Sequence, residues 1–412
     1  MIVNGIIAEY NPFHNGHKYQ LDQCREATNA DYVIVVLSSN FTQRGEPAIL
    51  DKFTRAKMAL QNGADLVIEL PISHSAASAE YFASGGVSIL HQLGVVDYLC
   101  FGSECGDAAI LDSFAQILLE EPVDFVRDLK SALAAGHSYP IARNRALMDY
   151  APQLARHESV LSSPNNILGI EYCKALLKLK SPMKVHTIKR AGANYHDRMF
   201  DVDFCSALAI REALLSGADL SAISSQMPKK AYQTLRESLQ EVPIVTLGDF
   251  SHMLLYKLLM EQAEGYDCYA DVTSELSDRI RNCLKDYENY ASFCNLLKTK
   301  NMTYARISRC LLHILLNEKK SELLEFGEDC LIPYARVLGF RKEATPLLSE
   351  IKRKSSIPLL TKLADAREEL SPGAYELLCR DLRRGSIYEC IAAEKAGRKV
   401  RDERQIPLVI LE

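Results

Sequence analysis

Five short apolar runs, each followed by a stretch with helical spacing, constrain the first half of this chain more than any other feature. The runs are 3–8, 32–37, 66–68, 98–101 and 185–188. Between them lie helical patterns at 18–28, 53–62, 79–93, 111–119, 124–150 and 166–179. Such alternation predicts a parallel sheet with helices on both faces, an α/β architecture. A last helical pattern, 206–215, closes this unit.

After residue 216 the pattern changes. Strand-like runs almost vanish, and long helical patterns follow at 250–262, 274–287, 304–316 and 375–384. A short extended run, 407–411, ends the sequence. The reading is therefore two units: 1–215, a Rossmann-like α/β domain, and 216–412, a mainly α-helical domain. A length of 412 residues agrees with more than one domain.

The formal net charge is −5. The molecule as a whole is not a basic nucleic-acid binder, although a local basic face would suffice for phosphate contacts. The first residues read as a core strand, so no signal segment is expected. No apolar run reaches the roughly 20 residues of a membrane helix. The 12 cysteines are scattered without a C-x-x-C pair. They read as free and reduced, which points to the cytoplasm.

The first strand breaks into a polar, proline-containing turn, E-Y-N-P-F-H-N-G-H, from Glu9 to His17, and a helix starts at about Lys18. A strand, a tight turn with two imidazoles and a helix start form a phosphate site in outline. Unpaired N–H groups at a helix N-terminus attract anions. Gly16 permits close backbone approach. The carboxyl end of a first strand is also where such sheets hold ligands. The same spacing fits two surface histidines, or two ligands of an incomplete metal site.

The His-x-Gly-His element resembles the signature of the nucleotidyltransferase superfamily, which also contains class I aminoacyl-tRNA synthetases. A longer set of strings narrows the resemblance. With E-Y-N-P-F-H-N-G-H stand S-S-N-F-T-Q-R-G-E-P-A at 38–48, D-L-V-I-E-L-P at 65–71, F-G-S-E at 101–104 and S-P-N-N-I-L-G at 163–169. In this order, over the whole chain, the set resembles the bacterial tRNA(Met) cytidine acetate ligase family. That resemblance implies a nucleotidyltransferase fold in residues 1–215 and tRNA binding by the helical half. The implied substrates are ATP, with Mg²⁺, acetate, and elongator tRNA(Met). Acetate is activated as acetyl-adenylate and transferred to N4 of the wobble cytidine, giving N4-acetylcytidine. No obligate protein partner is indicated.

The resemblance also implies residue roles. His14, His17 and Arg44 are the expected catalytic residues. ATP contacts are expected from Ile7, Ala8, Glu9, Tyr10, Asn11, Pro12, Phe13, His14, Asn15, Gly16, His17, Lys18, Tyr19 and Gln20. Gly102, one of Asn165 and Asn166, Arg190, Ser206 and Arg211 complete the set. The segment C-S-A-L-A-I-R at 205–211 matches the superfamily's second signature, except that Ala207 and Leu208 stand where hydroxyl or small residues are expected. From its own chemistry, Arg44 suits a phosphate or carboxylate, the less favoured reading being a surface arginine paired with Glu46. Ser163 reads as a helix cap. Lys52 or Arg55, at the start of the next helix, could face the phosphates, and either could equally be a solvated helix residue. No resident metal ligands are identified.

In the helical half, residues 297–309 are the most basic stretch. Lys298, Lys300, Arg306 and Arg309 lie among Thr303 and Tyr304, a pattern that fits an RNA backbone or an ordinary solvated face. Three other readings share parts of this pattern. They are a small-molecule adenylyltransferase, a citrate-lyase-type acetate ligase, and an RNA-binding protein with a vestigial nucleotide fold.

Overall fold

Val3 and Ile7 pack on one side of the first strand while Ile6 packs on the other, and the second strand divides Ile34 and Val36 from Val33, Val35 and Leu37 in the same way. A strand buried on both faces sits in the middle of a covered parallel sheet. The computed structural model, which describes residues 1–190, 205–327 and 329–412, has that arrangement. Strands β1 (Val3–Ala8), β2 (Tyr32–Ser38), β3 (Leu66–Leu70), β4 (Tyr98–Ser103) and β5 (Lys184–Lys189) are mutually parallel, in the order β5-β4-β1-β2-β3.

The chain starts in the middle of the sheet, builds β2 and β3 to one side, then crosses to β4 and β5 on the other. The strand order reverses between β1 and β4. In open α/β sheets the crevice at the carboxyl ends of two such strands is the ligand position.

The second half does not stay helical. Strand β6 (Ala335–Arg341) adds antiparallel to β3, with Leu66 opposite Phe340 and Ile68 opposite Val337. Strands β7 (Leu359–Leu360) and β8 (Val409–Leu411) then pair parallel to β6. The A-R-V-L-G-F-R string is short and has arginines at its second and last positions, so its period is ambiguous. Its position is set by charge as well as by the ladder. Arg336 reaches Glu69 of β3 at 2.8 Å and Glu403 at 2.5 Å, and Lys52 reaches the same Glu69 at 2.5 Å. All four are buried or nearly so, and such charges are tolerated only when paired.

The long helical reading over 124–150 resolves into two helices, Val123–Ala134 and Tyr139–Tyr150, with Gly136 at φ +85° between them. In the second half, helices Ser251–Met260, Ser274–Cys283, Tyr304–Leu315 and Pro372–Lys395 follow the sequence pattern, the last one well beyond it. They share a core that includes Phe250, Leu254, Tyr266, Phe293 and Leu311, and Phe41 from the first half enters the same core. Tyr388, on the last helix, donates to the Ala48 carbonyl at 2.9 Å. Among the described residues, no helix is long and apolar enough to cross a membrane. All 12 cysteines are free.

Candidate active site

The two histidines cap their own helix. The helix is Asn15–Thr28, with His14 as its N-cap in extended conformation. The Gly16 N–H donates to His14 Nδ1 at 3.0 Å, and the His14 N–H donates to His17 Nδ1 at 3.3 Å. This is a reciprocal capping box built from imidazoles. A Cβ on Gly16 would lie 2.8 Å from His14 Cε1, so glycine is what lets the His14 ring fold across the turn. The helix start is therefore not the open set of N–H groups that the sequence suggests.

This capping fixes the tautomers. An Nδ1 that accepts a backbone N–H carries no proton of its own, so each neutral ring holds its proton on Nε2. The rings stack with centroids 3.8 Å apart. Burial, then Arg190 and Arg211, push the His14 pKa down to about 3. Burial, then His14 and Arg190, push His17 well below the usual value, although part of its surface stays open toward the cavity. Both imidazoles are thus neutral donors.

They line a cavity of ≈ 210 Å³ at the carboxyl ends of β1 and β4. Ile7, Ala8, Glu9, Tyr10, Asn11, His14, His17 and Gln20 line it from the N-terminal segment. Arg44, Gly102, Asn165, Arg190, Ser206 and Arg211 line it from five other stretches of chain. A smaller adjoining space reaches Gly16 and Tyr19. Pro12, Phe13, Asn15, Lys18 and Asn166 line neither. Phe13 is fully buried, Asn15 donates to the Ser225 carbonyl at 2.7 Å, and Lys18 pairs with Asp22. A larger cavity of ≈ 630 Å³ lies beside β6 and β8, but its lining holds no histidine or carboxylate and is remote from the strand-order reversal.

Glu104 and Asn166 explain one side of the cavity. The Glu104 carboxylate accepts from Asn166 N at 2.8 Å and Asn165 Nδ2 at 2.7 Å, at the start of helix Pro164–Lys178. In return, Asn166 Oδ1 accepts from Glu104 N at 2.9 Å and Cys105 N at 3.1 Å. Ser163, expected as the cap, makes no side-chain cap bond, because Glu104 takes that role with a full charge at the positive helix end. The clasp buries Asn166 and leaves Asn165 at the cavity wall.

The Arg44 loop is anchored from the second half. Gly45, at φ +73°, packs against helix Tyr304–Leu315 so closely that a Cβ would lie 2.3 Å from Arg309 N. Ser308 Oγ donates to the Gly45 carbonyl at 2.7 Å. Glu46 lies near enough to Arg211 and Arg44 for both to oppose the rise in its pKa that burial causes. Arg211 also donates to the Asn11 carbonyl at 2.7 Å, tying the second signature to the first turn. Ser206 caps helix Ala207–Leu215 through Ala209 N, and Ala207 and Leu208 give that wall apolar surface in place of hydroxyls.

Two expectations are corrected. Neither Lys52 nor Arg55 lines the cavity. Lys52 belongs to the Glu69 network, and Arg55 is fully buried, donating to the Glu9 carbonyl at 2.6 Å, the Leu50 carbonyl at 3.0 Å and the Ser39 carbonyl. Arg55 thus holds together the loops after β1 and β2. The lining also includes Thr42, Gln43 and Phe101, which lie in the quoted strings without an assigned role, and Phe82 and Tyr172, which no local pattern singles out. Among the described residues there is no group of three or more His, Cys, Asp or Glu that could hold a metal ion.

Of the basic stretch, Lys298 and Lys300 are exposed on a tight turn before helix Tyr304–Leu315. Arg306 is half-buried, and Arg309 pairs with Asp271 at 3.4 Å and donates to the Gln43 carbonyl.

The model of the HIGH Nucleotidyl Transferase family matches residues 1–403. The chain is 40% identical to the tRNA(Met) cytidine acetate ligase of Acetivibrio thermocellus, with 100% of both sequences covered. It is 38% identical to the ligase of the same name from Halothermothrix orenii, with 99% of each covered. Thermotoga maritima TmcAL has a similar structure, with a TM-score of 0.94 for its apo form and 32% identity over 100% of both chains. The form of that protein bound with alpha-thio ATP gives a TM-score of 0.91.

Proposed function

Because the chain belongs to the HIGH nucleotidyl transferase family and, within it, to the tRNA(Met) cytidine acetate ligases, we propose that it activates acetate with ATP and transfers the acetyl group to N4 of the wobble cytidine of elongator tRNA(Met). The observation that carries this reading is one cavity, at the reversal of strand order, lined by His14, His17, Arg44, Gly102, Asn165, Arg190, Ser206 and Arg211.

In the first step an acetate oxygen attacks the α-phosphorus of ATP and pyrophosphate leaves. Acetate is ionised at neutral pH, so this step needs no base. What it needs is stabilisation of charge on the phosphate oxygens. His14 and His17 supply Nε2–H donors that are already oriented by their backbone bonds, and Arg44, Arg190 and Arg211 supply fixed positive charge. Asn165, Gly102 and the backbone of residues 7–11 form the remaining walls for the nucleotide. Mg²⁺ would accompany ATP as a counterion that offsets charge on its phosphates. With one carboxylate, Glu9, in the described lining, the chain itself offers no full coordination shell for the ion.

In the second step the exocyclic amine attacks the acyl carbon and AMP leaves. A cytidine must be splayed out of the anticodon loop to enter so small a cavity. Residues 216–412 are the tRNA-binding part of this proposal, with Lys298, Lys300, Arg306 and Arg309 as backbone contacts. Its substrates place the enzyme in the cytoplasm.

The test is incubation of the protein with ATP and labelled acetate, with and without fractionated tRNA. Acid-stable label in elongator tRNA(Met) is the expected result. Dinucleotide formation from phosphorylated nucleosides without labelled RNA would instead mark a small-molecule adenylyltransferase. Label on a protein thiol would mark a citrate-lyase-type ligase.

A further inference from the structure

Acyl transfer to a cytidine amine requires a proton acceptor. The N4 lone pair is delocalised into the ring, so the amine is a poor nucleophile. As the N–C bond forms, the C–O bond of the mixed anhydride breaks and AMP departs with its electron pair. N4 must then give up one of its two protons.

The hydrogen bonds of the cavity eliminate most candidates. His14 and His17 look like the bases, yet each Nδ1 already accepts a backbone N–H, so the cavity meets only their Nε2–H donors. The phenols of Tyr10 and Tyr172 are buried, which holds their protons on. The arginines of the wall are cations, and the amides and hydroxyls have no useful basicity. Among the described lining residues a single carboxylate is left, that of Glu9.

Glu9 is held for such a role. It follows Ala8, the last residue of β1, and Arg55 fixes its carbonyl at 2.6 Å. Its Oε1 accepts the Gln43 N–H at 2.8 Å, from the residue beside Arg44, and the side chain is at the cavity lining. The loop that carries the phosphate-facing guanidinium therefore also orients the carboxylate. We propose that Glu9 is the general base of acyl transfer, its carboxylate taking the proton that N4 of the cytidine loses as AMP departs. This inference rests on the function proposed above and names a residue for a step that the superfamily signature leaves without one.

Full-length Glu9→Gln and Glu9→Asp separate the two steps. Acetate-dependent exchange of labelled pyrophosphate into ATP reads adenylation and also shows that each variant is folded. Single-turnover transfer of labelled acetyl from enzyme-held acetyl-adenylate to tRNA reads the second step. In Glu9→Gln, transfer should fall by about 100-fold or more while exchange falls by less than about 10-fold, and Glu9→Asp should recover part of the transfer rate. An equal loss in both steps would assign Glu9 to the nucleotide or its counterion and overturn the proposal. Transfer near the wild-type rate would also overturn it, because the proton would then go elsewhere, for instance to the departing phosphate. If the wild-type protein exchanges pyrophosphate but labels no tRNA, the function proposal fails and takes this one with it.

Discussion

The Ser308 hydroxyl donates to the Gly45 carbonyl at 2.7 Å, across 263 residues of sequence. This bond joins the helix that follows the basic turn of the second half to the loop that carries Arg44. Gly45 is at φ +73° with no room for a side chain against Arg309, so the two elements are fixed relative to each other by contact as well as by hydrogen bonding. Gly45→Ala should lower stability by about 2 kcal/mol, and Ser308→Ala, which leaves the buried carbonyl without its partner, by about 1 kcal/mol. Urea unfolding curves measure both. Gly45→Ala should also slow adenylation, because Arg44 immediately precedes it.

His14 serves as helix cap and as phosphate donor, and these roles can be separated. Asparagine is an effective N-cap but has no group reaching as far as Nε2. His14→Asn should keep stability within about 1 kcal/mol of wild type and reduce acetate-dependent pyrophosphate exchange by about 100-fold, the scale for loss of one oriented donor. His17→Ala should abolish adenylate formation and leave tRNA retention on a filter largely intact. Loss of RNA binding with adenylation preserved would reverse the assigned role.

Asn165 and Asn166 are neighbours with different duties. Asn166→Ala breaks both acceptor bonds to the loop after β4 and should cost about 2 kcal/mol of stability. Asn165→Ala loses one partner of Glu104 at the cavity wall. It should raise KM for ATP several-fold with a smaller loss of stability. Comparison of KM and denaturation midpoints for the two variants tests the division.

The basic stretch separates similarly. Lys298 and Lys300 are exposed, and replacing both with Ala should weaken tRNA binding evenly and reduce the slope of log affinity against log salt by about 1–2. Arg309 is bound to Asp271 and the Gln43 carbonyl, so Arg309→Ala should act mainly through stability and adenylation. Filter binding over a salt series distinguishes the two.

His74 offers a pH test away from the cavity. It is fully buried, its Nε2 has no hydrogen-bond partner among the described residues, and burial pushes its pKa down to about 3. The unfolded chain therefore takes up a proton below pH 6.5 that the folded chain refuses. The stability this neutral ring permits is complete above 6.5 and is lost as pH falls toward 3. Between pH 7.5 and 5.5, the stability difference between wild type and His74→Asn should shift toward the variant by about 1.4 kcal/mol. Parallel denaturation at the two pH values cancels the other titrating groups.

Local pattern alone determined the parallel strands of the first half, because apolar residues spaced for burial on both faces admit few other arrangements. It also identified the His14–His17 turn, whose residues are contiguous. The tertiary structure decided what depends on distant partners. Strand β6 takes its place through its ladder to β3 and through Arg336 meeting Glu69 across 267 residues, and nothing within A-R-V-L-G-F-R announces that pairing. Lys52 and Arg55 open a helix where either a phosphate contact or a solvated face fits the sequence, and burial made one an ion-pair member and the other a clamp on two loops. Glu104, and not Ser163, caps the helix at Pro164, which is what separates Asn165 from Asn166. Spacing along a chain fixes which residues share a strand or a helix turn, whereas the hydrogen-bond partner of a buried polar group depends on which segments meet in space.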